Sequence, residues 1–239
     1  MAYKELIRRI IDIVVSITCL IVTAPLLFII ALLIRLDSKG PVIFKQVRIG
    51  QNRRRKERRR TQTTIPPKNI ERRRAVRDRR AQDLLGAPFE FYKFRTMYVD
   101  AKERFPELYK YSYSDDEIET ISFKVKEDPR LTRLGKVLRK TSLDELPNFY
   151  NVLKGDMTLV GPRPDIPEMM KYYKDWQKAK FEVKPGVTGL AQVSGRGLLT
   201  FQDTVKKDVE YVKKYRSLTA DIMIVLKTVF SIVRRTGAF

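Results

Sequence analysis

Apolar residues crowd into the start of the chain. From Ile10 to Ile34 the sequence runs 25 residues with one charged group, Asp12, and the apolar stretch carries on to Leu36. At about 1.5 Å per helical residue, such a segment covers the roughly 30 Å hydrocarbon core of a bilayer. Pro25 sits in its middle, removes a backbone donor and disfavours helical geometry at Ala24, which predicts a kink. Lys4, Arg8 and Arg9 precede the stretch, and Arg35, Lys39, Lys45 and Arg48 follow it. The preference of positive residues for the cytoplasmic side puts both flanks there, with a kinked spanning helix as the open alternative. A cleaved signal peptide is disfavoured, because the small-residue site Val22-Thr23-Ala24 runs straight into Pro25 and more apolar residues. Asp12, three residues after Arg9 on one helical face, is expected to pair with it.

Beyond this segment the pattern changes period. Pro41–Ile49 and Pro88–Met97 are rich in Val, Ile, Phe and Tyr with partial alternation, which predicts two strands. Val99–Tyr109 reads as helical, Asp115–Glu119 as acidic and polar, and Phe123–Lys126 as a short strand. Leu134, Val137 and Leu138 share one helical face, and Met157–Val160 reads as another short strand. Near the far end Ile222, Val225, Leu226, Val229, Phe230 and Val233 recur at helical spacing. They predict an amphipathic helix that either lies on a bilayer surface or closes a soluble core.

Charge adds a partner class. The chain holds 49 Lys+Arg against 28 Asp+Glu, a net +21 over 239 residues, which points to anionic partners. The 33 residues Arg53–Leu85 carry 14 of these cations against 4 acids, hence +10. Their first part, RRRKERRR, repels itself, Pro66–Pro67 interrupt regular structure, and Ile70–Leu85 is compatible with a basic helix. A solvated loop, a clamp on anionic lipid and a nucleic-acid site all fit this charge pattern. Missing aromatic interleaving and the neighbouring membrane segment favour lipid and make nucleic acid the unlikely partner. The absence of histidine and the single cysteine exclude Ser-His-Asp and Cys-His catalysis, clustered His/Cys zinc sites and an intramolecular disulfide framework. Catalysis here must come from carboxylates, Lys, Arg, Tyr or a hard metal. Cys19, inside the apolar stretch, suits a buried small hydrophobe.

Candidate chemistry concentrates at Thr141-Ser142-Leu143-Asp144-Glu145-Leu146-Pro147-Asn148. Pro147 is tolerated only in a first helical turn, so a helix is expected to begin at Ser142 to Asp144 and to stop at Gly155. Asp144 and Glu145 then stand at its N-terminus, where Ser142-x-x-Glu145 fits a capping box and acids are favoured by the helix dipole. The functional alternative is a carboxylate kept ionised beside phosphate-binding N–H groups, as a carboxylate nucleophile requires. Arg130, Arg133, Arg139 and Lys140 precede the pair. Downstream, Gly161-Pro162-Arg163-Pro164 presents one guanidinium from a fixed backbone, suited to a phosphate or equally to a solvent-facing turn. The segment from Lys184 to Arg196 carries three glycines and allows close backbone approach to a ligand, although it matches neither standard phosphate-loop spacing.

The order of these blocks resembles the bacterial sugar transferase family, the monotopic phosphoglycosyl transferases. The resemblance covers nearly the whole chain: Arg9-x-x-Asp12 before an apolar segment with a central proline, then SKGPVIFKQVRIGQN, YKFRTM, DPRLTRLGKVLRKTSLDELPN, NVLKGDMTLVGPRP and KPGVTGLAQVSGR. It implies an α+β fold: a small catalytic domain on an N-terminal re-entrant membrane helix (residues 1–36), kinked at Pro25, with C-terminal amphipathic membrane-surface helices. Residues 37–239 are then the cytoplasmic phosphoglycosyl transferase domain, on the inner membrane of a bacterium. Ala24-Pro25 stands where Ser-Pro is common in the family, so a hydroxyl is lost beside the kink. The implied reaction transfers a phosphosugar from a UDP-sugar to undecaprenyl (polyprenyl) phosphate with release of UMP, the first membrane step of exopolysaccharide or glycoconjugate biosynthesis.

In that reaction Asp144 attacks the β-phosphate to give a covalent aspartyl-phosphosugar, and Mg²⁺ is held by Asp144 and Glu145. Lys93 and Arg95 of YKFRTM, Arg139, Arg163 and Arg196 are the implied cations around the substrate phosphates. Asn148 replaces a glutamine common in the family and is assigned no role. Residues 53–85 read as an Arg-rich insertion into the family pattern, expected to ride on anionic lipids. A membrane-tethered nucleic-acid-binding protein and a non-catalytic glycan-assembly scaffold are the alternatives, and a homodimer is the candidate assembly.

Overall fold

The computed structural model describes residues 2–52, 85–122, 125, 127–195 and 198–234. The chain opens with one long helix, α1 (Ala2–Asp37), which runs unbroken through Pro25. The proline therefore does not end the helix, and Thr23 donates its hydroxyl to the Cys19 carbonyl at 2.7 Å one turn before it. A threonine hydroxyl bonded back in this way commonly bends a helix. Most of α1 is unpartnered: Val22 and Phe28 are each 72% exposed, while Ile30 and Ile34 are buried. It is long and apolar enough to cross a membrane.

Two strands follow, β1 (Ile43–Ile49) and β2 (Pro88–Phe94), paired antiparallel with Ile43 opposite Phe94 and Ile49 opposite Pro88. Residues 53–84, the bulk of the Arg-rich segment with its expected Ile70–Leu85 helix, lie outside the described residues. The expected helix over 99–109 forms as α2 (Ala101–Arg104) and a 3₁₀ turn (Pro106–Tyr109), divided where Pro106 cannot continue the ladder. The acidic stretch is itself a helix, α3 (Asp115–Thr120), opened by a complete capping box between Ser114 and Glu117. Of the Phe123–Lys126 strand only Val125 is described, and it is in no strand.

The remaining elements are α4 (Arg133–Thr141), α5 (Asn148–Lys154), β3 (Thr158–Val160), β4 (Gly186–Thr188), α6 (Leu190–Gly195), α7 (Phe201–Glu210) and α8 (Leu218–Val233). A π turn, Tyr211–Tyr215, whose Tyr211 is buried, joins α7 to the segment before α8. β4, read from sequence as part of a glycine-rich loop, pairs parallel with β3. Its Gly186 lies so close to Gly161 that a β-carbon there would stand 2.1 Å from the Gly161 nitrogen, so this glycine serves chain packing.

Mixed helix and sheet therefore surround several small cores. The largest gathers Ile49, Ile118, Ile166, Met169, Phe181, Phe201 and Val205. A second joins Ile30 and Ile34 of α1 to Phe94 and Leu138, so the far half of α1 packs directly under β2 and α4. The buried Asn151 side chain stitches α5 to the edge of β2, accepting from Tyr92 N (3.0 Å) and donating to Glu90 O (2.6 Å).

The near end of α1 docks through polar contacts. Arg9 and Asp12 do not pair with each other. Arg9 donates to the carbonyls of Val152 (2.6 Å) and Leu153 (2.7 Å) at the end of α5, where a cation suits the helix dipole. The Asp12 carboxylate accepts from Thr158 Oγ1 (3.0 Å) and Leu159 N (2.9 Å) on β3. Each therefore finds a better partner across the fold than one turn away. On α8 the predicted apolar stripe is largely exposed at Ile222, Leu226, Val229 and Phe230, while Ile224 turns inward onto Val160 and Tyr211.

Candidate active site

Asp144 sits in a 3₁₀ turn, Leu143–Glu145, between α4 and α5. Ser142 before it is left-handed (φ 60°) and closes α4, its N–H bonding the carbonyls of Arg139 and Leu138. An N-cap needs extended backbone, so the expected Ser142–Glu145 capping box does not form; Pro147 opens α5 instead, and the acids precede that helix.

This turn buries Asp144 (6% exposed) and leaves Glu145 half-buried. Burial, and then the neighbouring Glu145 charge, push the Asp144 carboxyl up to about 6, against the pull of Lys93, Arg139 and Arg163. Among the described residues the Asp144 carboxylate makes no ion pair. Glu145 Oε1 stands 3.7 Å from Arg163 Nη1.

Three of the five expected substrate cations converge here. Lys93 comes from β2; burial and the Arg139 guanidinium pull its ammonium down to about 8. Arg139 comes from the last turn of α4, with its guanidinium near Thr96 Oγ1 (3.2 Å) and Asp128 Oδ2 (3.4 Å). Arg163 comes from the Gly161–Pro164 turn, whose backbone is held on both sides: Arg163 N donates to Asp208 Oδ2 (3.3 Å) and Arg48 Nη1 to Pro164 O (3.1 Å). Asp208 is in turn paired with the buried Lys180 at 3.0 Å.

Arg95 is not brought to this group. β2 ends at Phe94, and the Arg95 guanidinium turns to the end of α1, donating to Pro41 O (2.7 Å), Ser38 Oγ (2.6 Å) and Ser38 O (2.8 Å). It is 5% exposed and fixes how α1 leaves the domain. Arg196 lies outside the described residues.

Two groups not singled out from sequence also line the site. A shallow cleft is bordered by Arg48, Phe91, Glu145, Asn148 and Arg163. Within it Arg48 Nε and Asn148 Oδ1 are buried and have no hydrogen-bond partner among the described residues. Arg48 lies 5.5 Å from the Phe91 ring, and burial together with Arg163 pulls it down to about 10. Its signal in the sequence was a cation at the end of a strand, indistinguishable there from a flanking charge of the membrane segment.

A buried carboxylate ringed by three to four incompletely paired cations is suited to attack on, and charge stabilisation of, a phosphoryl group. Among the described residues no cluster of three or more His, Cys, Asp or Glu side chains exists. The adjacent Asp144 and Glu145 carboxylates and the unpaired Asn148 oxygen are instead a small set of hard donors, which suits Mg²⁺, an ion that keeps several waters.

Comparison with known proteins gives this geometry a family. The chain is 38% identical over 238 residues to a galactosyl transferase, CpsE, of Streptococcus agalactiae, covering 99% of this chain and 44% of that protein. It is 34% identical over 245 residues to a UDP-glucose:undecaprenyl-phosphate glucose-1-phosphate transferase of Caulobacter vibrioides, covering 98% and 73%. To the uncharacterized sugar transferase EpsL of Bacillus subtilis it is 32% identical over 232 residues, covering 97% and 90%. The chain thus spans under half of some relatives and most of others. The bacterial sugar transferase family model matches residues 3–84 and 72–235, and the chain belongs to that family.

Proposed function

We propose that the chain transfers a sugar 1-phosphate from a UDP-sugar to undecaprenyl phosphate at a bacterial cytoplasmic membrane, releasing UMP. The names of relatives such as the Caulobacter transferase support the donor and acceptor classes. The observation that carries the reading is the buried Asp144 carboxylate facing Lys93, Arg139 and Arg163 in a chain whose first helix has an unpartnered apolar surface.

In the reaction an Asp144 oxygen attacks the β-phosphorus, the bond from that phosphorus to the bridging oxygen breaks, and UMP leaves with the electron pair. An oxygen of the polyprenyl phosphate then attacks the aspartyl-phosphosugar and restores the carboxylate. Lys93, Arg139 and Arg163 hold the phosphates and offset the charge that develops on them. Asp144 and Glu145, with the Asn148 oxygen, would hold Mg²⁺, which when bound neutralises diphosphate charge.

The apolar faces of α1 and α8 rest in the same leaflet in this reading. α1 re-enters rather than crosses, supported by positive residues on both flanks and by the polar docking of Arg9 and Asp12 on the domain. Residues 53–85 add affinity for anionic headgroups.

The test is UMP release by the full chain in nanodiscs, with Mg²⁺, undecaprenyl phosphate and a panel of UDP-sugars. Asp144→Asn serves as control, and label from a β-³²P donor is followed onto the protein. Release together with labelled wild type and unlabelled variant is the expected result; equal release by the variant overturns the role of Asp144. Removal of residues 53–85 is expected to weaken binding to anionic liposomes in a salt-dependent way; unchanged binding sinks the lipid role of that segment.

A further inference from the structure

Arg139 owes its place to contacts that lie far from it in sequence. α4 crosses the end of β2 at a distance only glycine allows: a β-carbon on Gly135 would stand 2.0 Å from the Thr96 carbonyl oxygen. Thr132 opens the helix against the same residue, its N–H bonding Thr96 O at 3.0 Å. Gly135 and Arg139 are four apart and therefore on one helical face. The close approach thus delivers the guanidinium to Thr96 Oγ1, which it meets through Nε at 3.2 Å. Thr96 is 2% exposed, so this contact is a fixed point.

The second contact is Asp128, a carboxylate 4% exposed. It is shared between two arginines on unequal terms. Arg130 takes it through Nε and Nη2, both at 2.8 Å, and through its backbone N–H at 3.1 Å. Arg130 is further placed by the ring of Tyr109, 5.2 Å away. Arg139 reaches the same carboxylate only at 3.4 Å, through Nη1.

Two guanidiniums on one carboxylate leave a net charge of +1. The geometry says where it sits: Arg130 neutralises Asp128 at short range, and the surplus belongs to Arg139. A carboxylate bonded to Arg139 alone would orient it and cancel its charge together. Among the described residues the Nη2 of Arg139 has no acceptor, which leaves an N–H edge for an incoming anion.

We propose that Asp128 is a positioning residue for Arg139, aiming its guanidinium at the phosphate groups of the nucleotide donor, while Arg130 balances the Asp128 charge so that the positive charge of Arg139 is left uncancelled. The proposal rests on the reading of this site as one that binds a nucleoside diphosphate sugar, and it adds Asp128, Arg130 and Thr96 to the parts that reading needs.

The experiment is a double-mutant cycle on UDP affinity, measured by calorimetry on the full chain in detergent with Mg²⁺, with UMP release from the UDP-sugar panel recorded in parallel. Asp128→Asn and Arg139→Gln are each expected to weaken UDP by about tenfold, and the double variant to bind no more weakly than Arg139→Gln alone. Thr96→Val, which keeps the shape of the side chain, is expected to give a smaller loss that likewise vanishes beside Arg139→Gln. This second cycle decides the matter if Asp128→Asn does not fold.

Arg130→Gln separates positioning from mere support. It lets Asp128 close on Arg139 and is expected to weaken UDP although Arg139 stays tethered. Additive losses in the cycles, or unchanged UDP affinity in Asp128→Asn and Thr96→Val, overturn the proposal, as does wild-type protein that binds no UDP. Non-additive losses in UDP affinity with no UMP release from any donor would uphold the positioning role and remove the transfer reading alone.

Discussion

Lys93 and Arg95 stand two residues apart in one short motif, yet their cations have opposite fates. Arg95 gives its guanidinium to carbonyls and a hydroxyl at the end of α1, and nothing of it faces the Asp144 turn. Lys93 makes no ion pair among the described residues, and its ammonium lies 5.6 Å from the Phe44 ring. The same division separates whole regions. At the anchoring positions Arg9 is bound to two carbonyls and Lys180 to two carboxylates, Asp165 and Asp208. Around Asp144, by contrast, Arg163 approaches Glu145 only to 3.7 Å and remains half exposed, and Arg139 is held at 3.2 and 3.4 Å. In a chain of net charge +21, a cation's type says little about its work. What it has left unpaired after folding says more, because a charge already matched at hydrogen-bond distance has little to offer an incoming phosphate.

The sharpest way to break this contrast is at the group the open cations surround. Asp144→Asn is expected to cut UMP release by on the order of 10³-fold or more, as removal of a nucleophile does. The fold should survive, since the carboxylate makes no ion pair that the amide would lose. Next in size is Arg163→Gln, expected to lower kcat/KM by about 10²-fold, with Arg163→Lys recovering part of the loss because charge returns without the planar fork. Steady-state kinetics across donor concentrations check both. If Arg163→Gln matched wild type, the open cations would be no more functional than the anchors.

Much of this arrangement was legible from local pattern. The apolar segment, the two strands and the inward Leu134 and Leu138 of α4 follow from hydrophobic period, although Val137 of the same expected face is 55% exposed, and the cations near Asp144 follow from motif order. The missing parts depend on contacts between distant residues. Ser142 takes a left-handed conformation because α4 must end there, which turned an expected capping box into a 3₁₀ turn. The α3 helix carried a capping signature at Ser114 and Glu117, hidden by its polar composition. β4 was obscured by glycines that permit its approach to Gly161. Arg48 and Asn148 acquire their place only when β1, α5 and the Gly161–Pro164 turn meet. Arg95 reads as a site cation by proximity to Lys93, and only the packing of α1 shows it employed elsewhere.

A smaller effect should appear in the pH dependence of donor binding. Burial and the Arg139 charge lower the Lys93 ammonium to about 8. Its charged fraction without substrate therefore falls from about nine-tenths at pH 7 to about one-tenth at pH 9. A phosphate ligand must restore that proton, so the affinity for UDP is expected to weaken severalfold across this range. Lys93→Arg keeps its charge throughout and should flatten the profile between pH 7 and 9. An unchanged slope in that variant would assign the dependence to another group.

The smallest kinetic effect belongs to the nearest neighbour. Arg95→Met removes three short hydrogen bonds at a site 5% exposed and leaves the Pro41 and Ser38 carbonyls without their donor. Unpaired buried acceptors of this kind cost about 2–4 kcal/mol in total, so the loss should appear as a clear fall in melting temperature in detergent. The KM for the UDP-sugar should stay within about twofold of wild type in protein that remains folded, since the side chain faces α1 rather than the phosphates. The pairing of results matters more than either one. A severalfold rise in KM with an unchanged melting temperature would make Arg95 a substrate cation after all and dissolve the distinction between the two residues. A loss of stability alone, set beside the pH-dependent affinity controlled by Lys93, would fix the division of labour within a single tripeptide: one cation holds the membrane helix to the domain, and the other meets the substrate.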